Sequence, residues 1–389
     1  MFPNFDSIES LVRECRPHEP VYCLRPSVIE AETRRFIEVV PARVLYAVKS
    51  NPHPAVLDIL HAAGVGDFDT ASPGEMRLVK DRFPGAKCYF MHPVKSRRAI
   101  ADALREFGIR HLVVDHGEEL SKLCEVTERR DLVVLVRLAT RGTDARFNLS
   151  RKFGASPDDA AALLRAAHRH GFDTGLCFHV GSQCLSPAAF DNAFDDVRRV
   201  LESARSPIST LDVGGGFPAR YEDARPPPLE SFAAAIRRGA ESLDAGIELF
   251  CEPGRALVAE GMSVLTRVEL RKDNRIYLND GIYGSLHGMS IGLRFPLRLV
   301  RADAEPGPHD TEFVAFGPTC DGLDELPQRF RLPSDVEEGD WIEVGCMGAY
   351  TVSLRTTFNG FYPDRFATVE EPFLRIGDTT PAFVDGNIA

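Results

Sequence analysis

Short apolar runs rich in β-branched residues alternate with stretches of helical period through the first two thirds of the chain. Val44–Lys49, Asp67–Ala71, Lys87–Met91, His111–Asp115, Leu132–Leu138, Thr174–Val180, Thr210–Val213 and Ile247–Glu252 read as strands. Between them, Pro54–Ala63, Pro73–Phe83, Ser96–Phe107, Glu118–Arg129, Pro157–His170, Pro187–Ala204 and Leu229–Leu243 read as helices. Such alternation implies parallel strands joined by right-handed crossovers. Eight strands in this order predict an α/β fold, a closed (β/α)8 barrel; an open, doubly wound sheet is the competing arrangement.

The texture changes after Met262. Val264–Leu270, Arg275–Asn279, Leu297–Val300, Glu312–Phe316, Trp341–Val344 and Phe366–Val369 are short, β-rich and punctuated by Gly and Pro, with no helical period between them. The expected organisation is an N-terminal segment, 1–25, whose Val21–Leu24 adds a strand to the β region; a barrel over 26–262; and an all-β region, sandwich- or barrel-like, over 263–389.

Composition narrows the class. The 389 residues are 44% hydrophobic and 26% charged, enough apolar material for a large core. Lys and Arg number 46 against 57 Asp and Glu, a net charge of −11. No basic stretch interleaves with aromatics, which excludes an electrostatic nucleic-acid binder. No apolar run is long enough for a membrane helix, and Met1–Pro20 carries Asp6, Glu9, Arg13, Glu14 and Arg16, unlike a secretory signal. Nine scattered cysteines without a CxxC pair suit reduced thiols in a cytoplasm better than disulfides or zinc, so no metal is expected.

In a (β/α)8 barrel, chemistry sits at the C-terminal ends of the strands. Those ends carry Lys49, Asp69, His92, Asp115, Arg137, His179, Asp212 and Glu252. Any one could simply bond loop backbone; as a set they predict a site. A lysine in a desolvated mouth can form a Schiff base with an aldehyde. Gly214-Gly215-Gly216 frees backbone N–H groups for an anion, and Glu252 and Arg255 across a Pro-Gly turn suit a ring nitrogen and a phosphate. Together they suggest pyridoxal phosphate, which carries an aldehyde, a phosphate and a pyridine nitrogen.

Seven motifs in order carry a resemblance: Tyr46-Ala47-Val48-Lys49-Ser50-Asn51, Phe178-His179-Val180-Gly181-Ser182, Asp212-Val213-Gly214-Gly215-Gly216-Phe217, Cys251-Glu252-Pro253-Gly254-Arg255, Asn279-Asp280-Gly281-Ile282-Tyr283-Gly284-Ser285, Gly317-Pro318-Thr319-Cys320-Asp321-Gly322-Leu323-Asp324 and Gly348-Ala349-Tyr350-Thr351. From about Val21 to Phe361 the chain resembles the fold-type III pyridoxal phosphate decarboxylases, in their ornithine/lysine branch, with a bacterial cast. The resemblance implies decarboxylation of a basic L-amino acid, L-ornithine to putrescine or L-lysine to cadaverine, in polyamine biosynthesis. Lys49 would hold the cofactor as an internal aldimine, with Asp69 and Glu75 supporting it. His179 would stack on the ring and Glu252 would pair with the pyridine nitrogen. Ser182, Gly215, Gly216, Gly254, Arg255 and Tyr350 would hold the phosphate. Cys320 would protonate the quinonoid carbon, with Asp321 and Tyr283 on the substrate. Cys320 and Asp321 would reach the site from a second subunit, making a homodimer with shared sites.

Two positions depart from the family pattern. The eukaryotic ornithine enzymes place a second acid shortly after the Tyr-Gly-Ser motif; here the run is Leu286-His287-Gly288-Met289-Ser290-Ile291-Gly292. Asn148 stands where those relatives have arginine, beside the loop Arg141–Arg146. The first departure opens the choice of substrate to meso-diaminopimelate, arginine or a carboxylated polyamine or siderophore intermediate. Diaminopimelate enzymes usually carry Glu after the loop cysteine, where this chain has Asp321. A non-catalytic, cofactor-binding regulatory homologue is the remaining alternative; the presence of Lys49, Glu252, Cys320 and Asp321 argues against it.

Overall fold

The computed structural model describes residues 2–141 and 145–373. The end of the expected all-β region, 374–389, and part of the loop Arg141–Arg146 lie outside the described residues. Eight parallel strands close into a barrel: Arg43–Ala47, Asp67–Thr70, Lys87–Phe90, His111–Val114, Val133–Leu138, Asp173–Phe178, Thr210–Asp212 and Glu248–Cys251. The last pairs back with the first through Phe250 opposite Arg43 and Cys251 opposite Val44, which rules out the open sheet. Every barrel strand matches an expected run to within two residues, because fully buried parallel strands read as continuous apolar segments.

Alternation along the strands separates two cores. Leu45, Tyr89, Met91, Val113, Val133, Leu135, Cys177 and Phe250 fill the barrel interior as one cluster. The intervening residues, among them Tyr46, Phe68, Val134 and Leu176, pack outward on the helices. Helix starts follow local chemistry. Ser72 and Ser156 accept from backbone N–H groups three residues on, and Pro73 and Pro157 follow them at positions where a missing N–H is harmless.

Strand Met262–Lys272 organises the β region. It pairs antiparallel with Val21–Leu24, with Trp341–Val344 and with Arg275–Leu278. The N-terminal strand is held there by a buried ion pair, Arg25 to Glu343 at 2.7 Å, with both side chains fully inaccessible. Arg298 binds the other oxygen of Glu343 at 2.5 Å. Strand Glu325–Pro333 is absent from the expected set although it alternates exposed and buried positions along its length. Its inward Gln328 and its Pro327 break the apolar signal; Gln328 is held by Phe295 and Glu222. Helices Ile8–Cys15 and Pro26–Val39 were likewise not expected. Among the described residues, no helix is long and apolar enough to cross a membrane.

Candidate active site

A cavity of about 340 Å³ opens at the C-terminal ends of the barrel strands. Six of the eight expected strand-end residues line it: Lys49, Asp69, His92, Arg137, His179 and Glu252. Asp115 and Asp212 do not. Asp115 binds the Gly154 amide at 2.9 Å, and Asp212 binds the Gly214 amide at 2.7 Å behind the cavity wall.

Lys49 does not close the first strand as the sequence suggested. The strand stops at Ala47, and Val48–Ser50 makes one 3-10 turn that aims Lys49 into the mouth. Its Nζ lies 2.6 Å from Asp69 Oδ2. Desolvation opposes its charge, but Asp69, Glu252 and Tyr350 outweigh that and raise its pKa above the ordinary lysine value. Glu75 stands one layer back and accepts from the Ala71 amide at 2.7 Å, orienting the segment that carries Asp69.

His179 follows the sixth strand. Its Nδ1 accepts from the Gly181 amide at 3.0 Å. Burial, with Arg137 and Lys49 nearby, holds its pKa well below the usual histidine value, so the ring is neutral. Glu252 follows the eighth strand. Burial, then Asp212 and Asp69, push its pKa well above the carboxylate range.

On the other side stand Ser182, Arg255 and Tyr350. Arg255 is 6% exposed, and its Nη2 is 3.4 Å from Ser182 Oγ. The Tyr350 ring packs 5.0 Å from the guanidinium. Among the described residues the Arg255 guanidinium bonds the hydroxyls of Tyr221 and Ser182 and no carboxylate, and its Nε is buried without a partner. A Cβ on Gly215 would sit 2.5 Å from the Glu252 carbonyl oxygen, and one on Gly216 2.4 Å from the Gly181 oxygen, so only glycine permits this close backbone approach. Gly254 lies outside the cavity against Ser50.

These groups fit pyridoxal phosphate. An uncompensated, buried guanidinium beside a hydroxyl and a glycine-only loop suits a phosphate. A carboxyl that can hold a proton suits a pyridine nitrogen, and a flat neutral imidazole suits a ring face.

The structure does not bring Tyr283, Cys320 and Asp321 to this cavity. They stand together on the β region, beside a second cavity lined by Tyr283, Pro318 and Thr319. The Tyr283 hydroxyl donates to Asp321, whose pKa is lowered by that bond and by the Leu323 amide at 3.0 Å. Cys320 is exposed, its amide bound to Asn359 at 3.1 Å. Sequence reasoning missed the apolar wall of the first cavity, formed by Phe147, Leu149, Phe153, Ile291, Leu293 and Leu354. The segment Leu286–Gly292 contributes Gly288 and Ile291 to it and no carboxylate. Asn148 faces away and caps a local turn by accepting from the Ser150 amide.

The model of the pyridoxal-dependent decarboxylase family, pyridoxal binding domain, matches residues 27–259. A lysine/ornithine decarboxylase of Selenomonas ruminantium is 34% identical over 82% of each chain. The ornithine decarboxylase of Mus musculus is 31% identical over 88% of this chain and 79% of its own. The crystal structure of a lysine/ornithine decarboxylase from Vibrio vulnificus, complexed with cadaverine, superposes with a TM-score of 0.82 at 33% identity, over 94% of this chain and 98% of that one.

Proposed function

The chain belongs to the pyridoxal-dependent decarboxylase family and acts on basic amino acids with pyridoxal phosphate, and we propose that its substrate is L-ornithine, with L-lysine as a second substrate. One observation carries the choice of a distal ammonium: Asp321 is kept ionised on an exposed loop, with its carboxylate fixed by Tyr283. A fixed carboxylate selects a primary ammonium by charge and by reach.

Bound pyridoxal phosphate supplies an electron sink for the pair left on Cα when the carboxyl group departs. The chain's residues do the rest. Asp69 holds the Lys49 amine at the mouth, and its carboxylate balances the ammonium charge when the amine is protonated. Glu252 would hold a proton for the ring nitrogen, and neutral His179 would cover a ring face without adding charge there. Ser182, Arg255 and Tyr350, with the Gly215–Gly216 backbone, would hold the phosphate end; Gly254, which packs on Ser50 outside the cavity, would not touch it. Phe147, Leu149, Ile291, Leu293 and Leu354 exclude water from the leaving carboxylate, which favours the neutral product. Cys320 gives its thiol proton to Cα. Because Cys320 and Asp321 lie away from their own chain's cavity, the reading requires a homodimer in which each site borrows them from the partner.

A second reading has one observation in its favour. Arg137 and His92 line the cavity, and among the described residues neither makes an ion pair, Arg137 acting on Glu252 and Asp212 only at longer range. They suit a substrate with an additional carboxylate, such as meso-diaminopimelate or a carboxylated polyamine. Carbon dioxide release from the cofactor-loaded protein, with the product identified by mass, separates the two. The panel is L- and D-ornithine, L- and D-lysine, L-arginine, meso-diaminopimelate and carboxylated polyamines. Putrescine or cadaverine as the main product supports the first reading; turnover only of a dicarboxylate overturns it.

A further inference from the structure

Side-chain alternation places a second carboxyl beneath the one facing the cavity. Asp212 ends the seventh barrel strand, fully buried. Its Oδ1 accepts from the Gly214 amide at 2.7 Å. Its Oδ2 is buried and, among the described residues, meets no N–H or O–H donor. Among the described residues, the side chain in bonding reach of Asp212 is the Glu252 carboxyl. Two ionised carboxylates have no hydrogen to share, and holding both charged with Asp212 fully buried and Glu252 partly so is costly. One proton between them resolves both problems.

We infer that Asp212 and Glu252 hold one shared proton in the cofactor-free protein, and that Asp212 is thereby a positioning residue which readies the proton Glu252 passes to the pyridine nitrogen. The groups facing the pair are consistent with this. Asp69 adds negative charge, Lys49 and Arg137 add positive charge, His179 is neutral, and burial keeps Cys177 and Cys251 as thiols. Burial, with Asp69 nearby, raises Asp212 above the ordinary range against the lowering contact to Glu252, and burial, then Asp212 and Asp69, raise Glu252 well above it. On binding, the carboxyl O–H breaks and a ring N–H forms. The pair gains one negative charge as the ring gains one positive charge, and no proton is drawn from solvent. The second half of the inference rests on the pyridoxal phosphate reading; the first does not.

Two measurements test it. Infrared spectroscopy of the cofactor-free protein at pH 8 should show the carbonyl stretch of a buried, protonated carboxylic acid. Asp280, another buried carboxyl, is pushed up only to about 6 and is mostly ionised at that pH. The band should vanish in Asp212→Asn and in Glu252→Gln, whose amides donate the missing hydrogen. Its absence from the wild type, or its survival in both variants, overturns the inference. If Asp212→Asn does not fold, the wild type and Glu252→Gln still decide. Calorimetry of pyridoxal phosphate binding at alkaline pH, in buffers of different ionisation enthalpy, should then show Asp212→Asn taking up about one more proton per site than the wild type. Equal uptake overturns the proton delivery. Failure of the cofactor to bind at all would sink the pyridoxal phosphate reading and leave the infrared band untouched.

Discussion

The barrel mouth and the Cys320–Asp321 loop carry two halves of one proposed chemistry, and they are built in opposite ways. At the mouth, Lys49, His179, Glu252 and Arg255 line a recessed cavity, Arg255 buried and Lys49 still reached by solvent, and burial or neighbouring charges move three of their pKa values. On the loop, Cys320 is exposed and Asp321 is fixed by a tyrosine and a backbone amide. Low dielectric magnifies electrostatics at the mouth, whereas solvent screens them on the loop. On the proposed reading, one chain can prepare the cofactor end of the site, and Cys320 and Asp321 would need a covering surface before they act at full strength.

The largest expected effect lies at the mouth. Lys49→Ala should lower turnover by roughly 10³-fold or more, because among the described residues no other amine lines the cavity. Carbon dioxide release checks it, and near-normal activity would remove Lys49 from the reaction. Cys320→Ala should cost ~10²–10⁴-fold, the range for loss of a general acid. Mixing the two variants sharpens the comparison. Random reassortment makes half the dimers hybrid, each with one intact site, so about one quarter of wild-type activity should return. No recovery, with dimers verified by light scattering, would place both halves of the site in one chain.

Stability should divide between the regions too. Arg25→Met leaves buried Glu343 with Arg298 and Ser263 as its remaining partners. It should cost about 3 kcal/mol and lower the midpoint of thermal unfolding. At the mouth, His179 has a folded pKa well below the ordinary 6.5. The unfolded chain therefore binds its proton first, and stability falls as the pH drops below 6.5. His179→Gln should flatten that acid limb in denaturant titrations; an unchanged limb would mean that other groups set it.

The smallest effect concerns chain length. Ile291 lines the cavity on the segment that lacks a carboxylate, and it is 44% exposed. Ile291→Asp should improve kcat/KM for ornithine relative to lysine by about fivefold, the equivalent of ~1 kcal/mol for an accessible ion pair. A reversed preference would put the distal ammonium elsewhere.

Much of this was legible in the chain itself. The eight barrel strands declare themselves by buried, β-branched runs, and their ends name most of the cavity's polar lining. Strand Glu325–Pro333 escaped because a buried glutamine is apolar only in context: Phe295 and Glu222, which satisfy it, are distant in sequence. The turn that aims Lys49 escaped for a similar reason. It is held by contacts to Pro253 and Tyr350 rather than by local propensity. The apolar cavity wall gathers Phe147, Ile291 and Leu354 from separate segments that share no period.

By itself the sequence determined the barrel, because period and β-branching are local properties of the chain. It also determined the kinds of group at the strand ends, because alternation along a strand fixes which side chains face inward. Tertiary structure alone decided what those groups became. Whether Asp212 is a strand-end hydrogen bonder or half of a carboxyl pair depends on which strand lies next to it. Whether Glu252 is charged depends on the depth of its burial. Both are properties of three-dimensional distance, and distance is set only when the eighth strand closes on the first.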